Sequence, residues 1–226
     1  MLIGSSRKLA GNIRTLSVSI SNYGISNVNS FKYLGVFLSN DLTWSKHIDY
    51  LTSKINQRLG LLRRIKYLLP FKAQVLFYNG LVLPLFDYAD VVWGDKNNIT
   101  LMNKLQTLQK KAGKIILDKP LYSSASEALG KLNWITLEQR RFYHRCLFVY
   151  KCVNGYIYHS MDLLTAGDVH GYNTRNKDKL RLPHVTRNWG KQRMCYQAVN
   201  DWNSLEIDIR TSLNIKLFKH KLLNSL

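Results

Sequence analysis

Trp44-Ser-Lys-His-Ile-Asp-Tyr-Leu-Thr-Ser-Lys-Ile-Asn-Gln-Arg-Leu-Gly-Leu-Leu-Arg-Arg-Ile-Lys-Tyr-Leu-Leu-Pro70 decides the fold class. Apolar residues recur at Trp44, Ile48, Leu51, Ile55, Leu59, Leu62, Ile65 and Leu69, in steps of three and four. That spacing puts one greasy stripe along an α-helix. Asp41 or Thr43 is placed to cap it, and Pro70 to stop it. Lys54, Arg58, Arg63, Arg64 and Lys66 fall largely off the stripe, in water or against an anion.

Downstream the helical period continues. Residues 71–88 read as a second, more apolar helix, which Pro84 should kink or end. Residues 97–117 read as a third, with Leu101, Leu105, Leu108, Ala112, Ile115 and Ile116 inward and Lys104, Lys110, Lys111 and Lys114 on the other face. A short helix over 123–132 has Ser123 or Ser124 as its cap with Glu127 following. Residues 136–153 make a long helix with Glu138 near its positive end. Residues 155–190 show no clean period and read as a loop or arm. Two short helices, 193–202 and 215–223, close the chain.

Upstream the period changes to two. Leu16-Ser-Val-Ser-Ile20 alternates as a half-buried strand does, Asn22-Tyr-Gly24 supplies a turn, and Phe31-Lys-Tyr-Leu-Gly-Val-Phe-Leu38 reads as a second strand. These predict a small N-terminal β-hairpin on an otherwise mainly α chain. Two strands alone are marginal in water and need a surface to pack on. The expected segments are 1–40 (hairpin), 41–95 (helical bundle), 96–154 (basic helical region) and 155–226 (basic arm and C-terminal helices).

Charge narrows the partners. Lys plus Arg number 33 and Asp plus Glu 14, a formal net charge of +19. So basic a chain repels itself unless a polyanion screens it, which points to nucleic acid before an anionic membrane surface. Between residues 96 and 154, basic residues outnumber acidic ones 11 to 3, whereas between 41 and 95 the ratio is 7 to 5. The later helices and the arm are therefore the expected grip. Its candidate residues are Lys104, Lys110, Lys111, Lys114, Arg140, Arg141, Arg145 and Lys151 on helices. On the arm they are Arg175, Lys177, Lys179, Arg181, Arg187, Lys191 and Arg193. Residues 140, 144 and 151 share a helical face, with Tyr143 and Tyr150 interleaved. The plainer reading of these cations is a solvated surface.

Other chemistries find less support. Asp87 and Asp90 stand three apart and could share a face for a metal, but no adjacent Asp-Asp pair occurs, and helix-end or solvated carboxylates explain them. His144, Cys146, Cys152 and His159 lack the paired spacing of a structural zinc site. No nucleophile-elbow pattern surrounds a serine or cysteine. Three cysteines without C-x-x-C spacing suggest a reducing, intracellular compartment, nuclear or cytoplasmic. No apolar run is long enough for a membrane span. Trp44, Trp93, Trp134 and Trp202 sit beside periodic apolar residues and read as core.

Several segments, in order, resemble non-LTR retrotransposon reverse transcriptases, the jockey-like group among them. Phe31 to Leu38, Leu42-Thr-Trp44 and His47-Ile48 are similar to that family's join of palm and thumb. Tyr78 to Tyr88 with Val92-Trp-Gly94 is similar to its thumb, and Leu108-Gln-Lys-Lys-Ala112 to its post-thumb segment. Thr174-Arg175, Leu182-Pro183, Trp202-Asn203, Asp208-Ile-Arg210 and Phe218-Lys219 follow the family's tail, except that Leu205-Glu206 stands where the family has Leu-Pro. The resemblance implies that 1–40 is the end of a palm, 41–95 a thumb, and the rest a region that grips RNA, DNA or an RNA–DNA hybrid.

It also implies a partner, the palm and fingers, in a full-length protein. The family's catalytic Asp-Asp motif, which holds Mg²⁺, has no matching position, so no catalytic residue is carried over and no cofactor is expected. A shorter resemblance, over 33–61, is to the N-terminal part of an AlkB-type tRNA-modification protein. His47-Ile-Asp49 has the spacing of such an iron site, but on a helix within an apolar stripe. The remaining alternatives are a helical protein-interaction module and a non-functional gene-model fragment.

Overall fold

The computed structural model describes residues 1–4, 9, 18–120, 122–169 and 176–226. It is mainly helical, with two small antiparallel hairpins near the N-terminus. The first joins β1 (Val18–Ile20) to β2 (Tyr23–Ile25), and the second joins β3 (Ser30–Tyr33) to β4 (Val36–Ser39). The single strand expected over 31–38 is thus a hairpin by itself. Its turn, Leu34-Gly35, has φ values of 44° and 84°, the pair of positive φ angles that a two-residue type I′ turn needs. Ser21 and Asn22, at 47° and 68°, do the same for β1–β2, one step earlier than the expected Asn22-Tyr-Gly24 turn.

Helix α1 (Ser45–Ile65) buries Ile48, Leu51, Ile55, Leu59 and Leu62, the stripe read from the sequence. Burying each contributes roughly 1.5–3 kcal/mol. Neither Asp41 nor Thr43 caps α1. Asp41 Oδ1 instead accepts from the backbone N–H and the hydroxyl of Thr43, at 3.1 and 3.0 Å, closing a turn before the helix. Trp44 enters α1 in the left-handed region at φ 62°, its ring buried.

After a 3₁₀ turn (Lys66–Leu68), the apolar segment is not one helix. α2 (Phe71–Phe77) opens into a π turn (Tyr78–Val82) and then α3 (Leu83–Asp87). Pro84 has no N–H to give, and the wider winding takes up the mismatch. The carbonyl of Leu81 in that turn accepts from the Arg58 guanidinium. α4 (Asp90–Trp93) follows a left-handed Ala89.

α5 (Ile99–Ile116) lies against α1 and runs in the same direction. Lys104 meets Asp49 and Lys111 meets Asn56, the same sequence offset one step of seven further along both helices. Asn98 caps α5 and Ser124 caps α6 (Ala125–Lys131). Thr136 and Gln139 form a capping box on α7 (Leu137–Val153). The C-terminal part holds α8 (Ala166–Val169), a 3₁₀ turn (Asn188–Gln192), α9 (Met194–Ser204), α10 (Ile207–Arg210) and α11 (Ile215–Asn224).

Two apolar cores result. One runs from Val36 through α1 and α5 to Leu137, with Trp93, Tyr78 and Phe86 inside. Trp134 stacks on Tyr78, ring centroids 3.8 Å apart. The other gathers Cys146, Val149 and Tyr150 of α7 with Trp202, Phe218 and Leu222. Helix α7 is common to both, with its first residue in one core and its second half in the other.

The arm is tied down where it is described. Leu180 N–H donates to Asn203 Oδ1 at 2.9 Å, and Asn203 Nδ2 donates to Leu180 O at 2.7 Å. One amide side chain thus imitates a strand partner, and Leu180 is buried. Among the described residues no helix is long and apolar enough to cross a membrane.

Candidate nucleic-acid interface

The middle turns of α7, between the two cores, carry Arg140, Arg141, His144 and Arg145. Arg140 forks onto Asp87, with Nε to Oδ1 at 2.5 Å and Nη2 to Oδ2 at 2.7 Å. His144 Nδ1 stands 2.6 Å from Asp90 Oδ2. Arg145 Nε donates to Asp201 Oδ2 at 2.6 Å, and its Nη1 to the Gly94 carbonyl at 3.3 Å. Asp201 Oδ1 takes Lys96 Nζ at 2.6 Å, and Gln197 Nε2 donates to Asp95 Oδ1 at 2.6 Å. A polar seam therefore joins α3, α4, α7 and α9. At Gly94 a Cβ would stand 2.6 Å from Arg141 Cδ, so the missing side chain is what lets that arginine pass so close.

Arg140 is committed to Asp87 and Arg145, 3% exposed, to Asp201, while Arg141 is 5% exposed with its Nη1 buried and without a hydrogen-bond partner, so none of the three is a free surface cation. Burial lowers the Arg141 guanidinium to about 10, with nearby Asp90 opposing the shift. Asp90 is not a solvated carboxylate: it is 3% exposed, and burial pushes its carboxyl above the usual range while His144 pulls it back. Lys151, which shares the face of residues 140 and 144, lies beyond the seam, partly exposed.

Asp87, Asp90 and His144 are, among the described residues, a set that brings three potential metal-ligand atoms within 4.8 Å of one another. An imidazole beside an arginine-bound carboxylate does not fit Mg²⁺, which takes an octahedron of oxygens. The four residues weighed for zinc do not converge: His144 is held by Asp90, while Cys146 and Cys152 are buried, their thiols pushed up by burial. His47 and Asp49 part company as well. His47 is 1% exposed with Nδ1 accepting from Phe37 N–H, whereas Asp49 is exposed and faces Lys104.

The α5 lysines sit differently. Lys104 is 3.4 Å from Asp49, with side chains 50% and 65% exposed, and Lys111 Nζ donates to Asn56 Oδ1 at 3.2 Å. Both lie on the flank where α5 meets α1. At the end of that flank Arg63, Lys66, Lys114 and Lys119 surround Asp118 in a basic cleft of about 280 Å³. Lys66 is bonded to Asp118, which raises its ammonium above the ordinary value. Lys110, on the same helix, is partly exposed. Arg63, Lys66 and Lys119 were absent from the expected grip. Their recruitment depends on the packing of α1 against α5, which neither helix encodes alone.

On the arm, Lys177, Arg181, Arg187, Lys191 and Arg193 are exposed and Lys179 partly so. Arg175 lies outside the described residues. Arg181 and Arg193 come together at one cleft, and the other arm cations are not gathered there.

Over 131 residues, 56% of this chain, the sequence is 28% identical to the probable RNA-directed DNA polymerase from transposon BS of Drosophila melanogaster. The match spans 14% of that protein's length. It relates part of the chain to a reverse transcriptase. No family model and no solved structure matches the chain.

Proposed function

We propose that this chain is the C-terminal region of a non-LTR, jockey-like reverse transcriptase, and that it holds nucleic acid and does not itself polymerise. The likeness to a transposon polymerase and the ordered motifs from residue 31 to residue 219 support the ancestry. The observation that carries the binding role is the basic flank of α1 and α5, where Lys104 and Lys111 lead into the cleft of Arg63, Lys66, Lys114 and Lys119. The Lys104 pair is exposed and of little net worth, so a phosphate can displace its partner.

In this reading 1–40 ends a palm. Its apolar surface, with Ile20, Phe31 and Leu34 at 65%, 55% and 72% exposure, would be covered by the palm and fingers of a full-length protein. Residues 41–95 act as a thumb, and 96–154 and 155–226 as the region that follows.

The test is equilibrium binding of the purified chain to an RNA–DNA hybrid, duplex DNA and single-stranded RNA across a salt series. A steep fall of log K with log salt is expected, and Lys104→Gln with Lys111→Gln should reduce the duplex slope by about 2. Flat or absent binding would overturn the role. A second reading, a helical protein-interaction module, draws on Tyr67, Leu68 and Phe71, which are 79%, 83% and 52% exposed side by side. Failure to bind any nucleic acid at low salt would favour it.

A further inference from the structure

A second cationic place lies away from the α1–α5 flank. Between the arm and the start of α9 opens a cleft of about 740 Å³, within the roughly 300–1,000 Å³ of small-ligand sites. Trp44, Val92, Met194 and Val199 give it apolar walls, while Arg181, His184 and Arg193 are exposed around it and Asp162 is the one carboxylate among its lining. Neither Arg181 nor Arg193 has a side-chain partner among the described residues. Two uncommitted guanidinium groups beside an apolar hollow make a poor resting surface but a good receptor.

We propose that this cleft seats one or two unstacked bases of a single-stranded nucleic acid, with Arg181 and Arg193 on the flanking phosphates. The proposal rests on the nucleic-acid reading above and deepens it. A base offers two apolar faces and a phosphate at fixed reach, which the hollow and its rim complement. A duplex hides its bases and presents only its backbone, so it gains nothing from the hollow and is held by the α1–α5 flank instead. Arginine suits the rim because its planar fork can hold a phosphate through two bonds or stack on a base. His184 adds an imidazole ring at the mouth. The positions are also fixed: Leu180, next to Arg181, is clamped by Asn203, and Arg193 precedes the first turn of α9.

The test uses the full chain, an oligouridine dodecamer and a blunt duplex of equal length at about 0.1 M salt. In the Arg181→Gln/Arg193→Gln variant, single-strand affinity should fall roughly tenfold and its log–log salt slope by about 1.4, while duplex affinity changes by less than about twofold. Cys195 gives an independent readout, because it lines the cleft while Cys146 and Cys152 are buried. Saturating oligouridine should slow its alkylation by iodoacetamide several-fold in the unaltered chain. If RNA binds but neither the double substitution nor Cys195 protection registers it, the cleft assignment is overturned and the nucleic-acid role stands. If no nucleic acid binds at low salt, both fall. If an acidic peptide protects Cys195 better than RNA does, the occupant is a protein segment and the proposal is wrong.

Discussion

Arg145 and Asp201 face one another at 2.6 Å with side chains 3% and 5% exposed, so that α7 and α9 meet through a charge pair sealed from water. Asp201 also receives Lys96 from the loop before α5. One carboxylate therefore fixes three segments. Removing it leaves a buried guanidinium facing only the Gly94 carbonyl. Asp201→Asn should cost about 3 kcal/mol of unfolding free energy, read from urea titration. Replacing both members together, Arg145→Met with Asp201→Leu, should cost far less, because no buried guanidinium is then stranded and Lys96, 32% exposed, can turn to water. Equal losses from the single and double variants would mean that packing, not charge, holds the joint.

Burial should grade the ion pairs. Arg140–Asp87 is bidentate with side chains 28% and 24% exposed, while Lys104–Asp49 is a single long contact at 50% and 65%. A double-mutant cycle with Arg140→Gln and Asp87→Asn should give a coupling of about 1–2 kcal/mol. The same cycle with Lys104→Gln and Asp49→Asn should give under about 0.5 kcal/mol and vanish in molar salt. Comparable couplings would remove the argument that Lys104 is free to meet a phosphate.

The contrast explains what could be read beforehand. The α1 stripe was legible because Ile48, Leu51, Ile55, Leu59 and Leu62 repeat within one helix and need no knowledge of a partner. So was the Ser124 end, one of the two caps offered there, whose side chain accepts from its own backbone. The role of Arg145 was not, since its carboxylate lies 56 residues away. A row of arginines on one helix looks the same whether it meets water, phosphate or Asp201. One signal was available: Asp201 itself, set among Ala198, Val199 and Trp202 at helical spacing, is a charge on an apolar stripe and so demands a buried partner. The split of 31–38 into two strands was hidden for another reason. Leu34 is a poor residue for a left-handed turn, and propensity alone argues against one there.

That misfit is itself a handle on stability. Leu34 sits at φ 44° with its side chain 72% exposed, so the backbone is strained for no packing gain. Its carbonyl accepts from the Tyr88 hydroxyl at 2.6 Å, a bond any residue at this position keeps. Leu34→Asn should raise unfolding free energy by about 0.5–1 kcal/mol. Gly35→Ala should lower it by about 1–2 kcal/mol, since φ is 84° and the added Cβ would stand 3.3 Å from the Tyr88 ring. Opposite signs from neighbouring residues would confirm the type I′ turn by thermal or urea denaturation. A destabilised Leu34→Asn would argue against it.

His47 should make the first core sensitive to mild acid. Its Nδ1 accepts from Phe37 N–H at 3.4 Å, its Nε2 is buried with no hydrogen-bond partner, and its ring lies edge-on to Trp93 at 5.3 Å. Burial lowers its imidazole to about 4. The unfolded chain takes up this proton near pH 6.5, while the folded chain refuses it until about pH 4. Between those values the unfolded state binds more protons, so stability is full above pH 6.5 and declines as pH falls toward 4. From pH 7.5 to 5 the loss attributable to this one group is about 2 kcal/mol. Protonation would also remove the lone pair that receives the Phe37 N–H, joining β4 to α1 less firmly. His47→Met keeps the volume without the titration, so its unfolding free energy should change about 2 kcal/mol less over the same pH interval. Parallel pH profiles for the two chains would show that His47 is solvated in the folded state and that the acid response belongs to other groups.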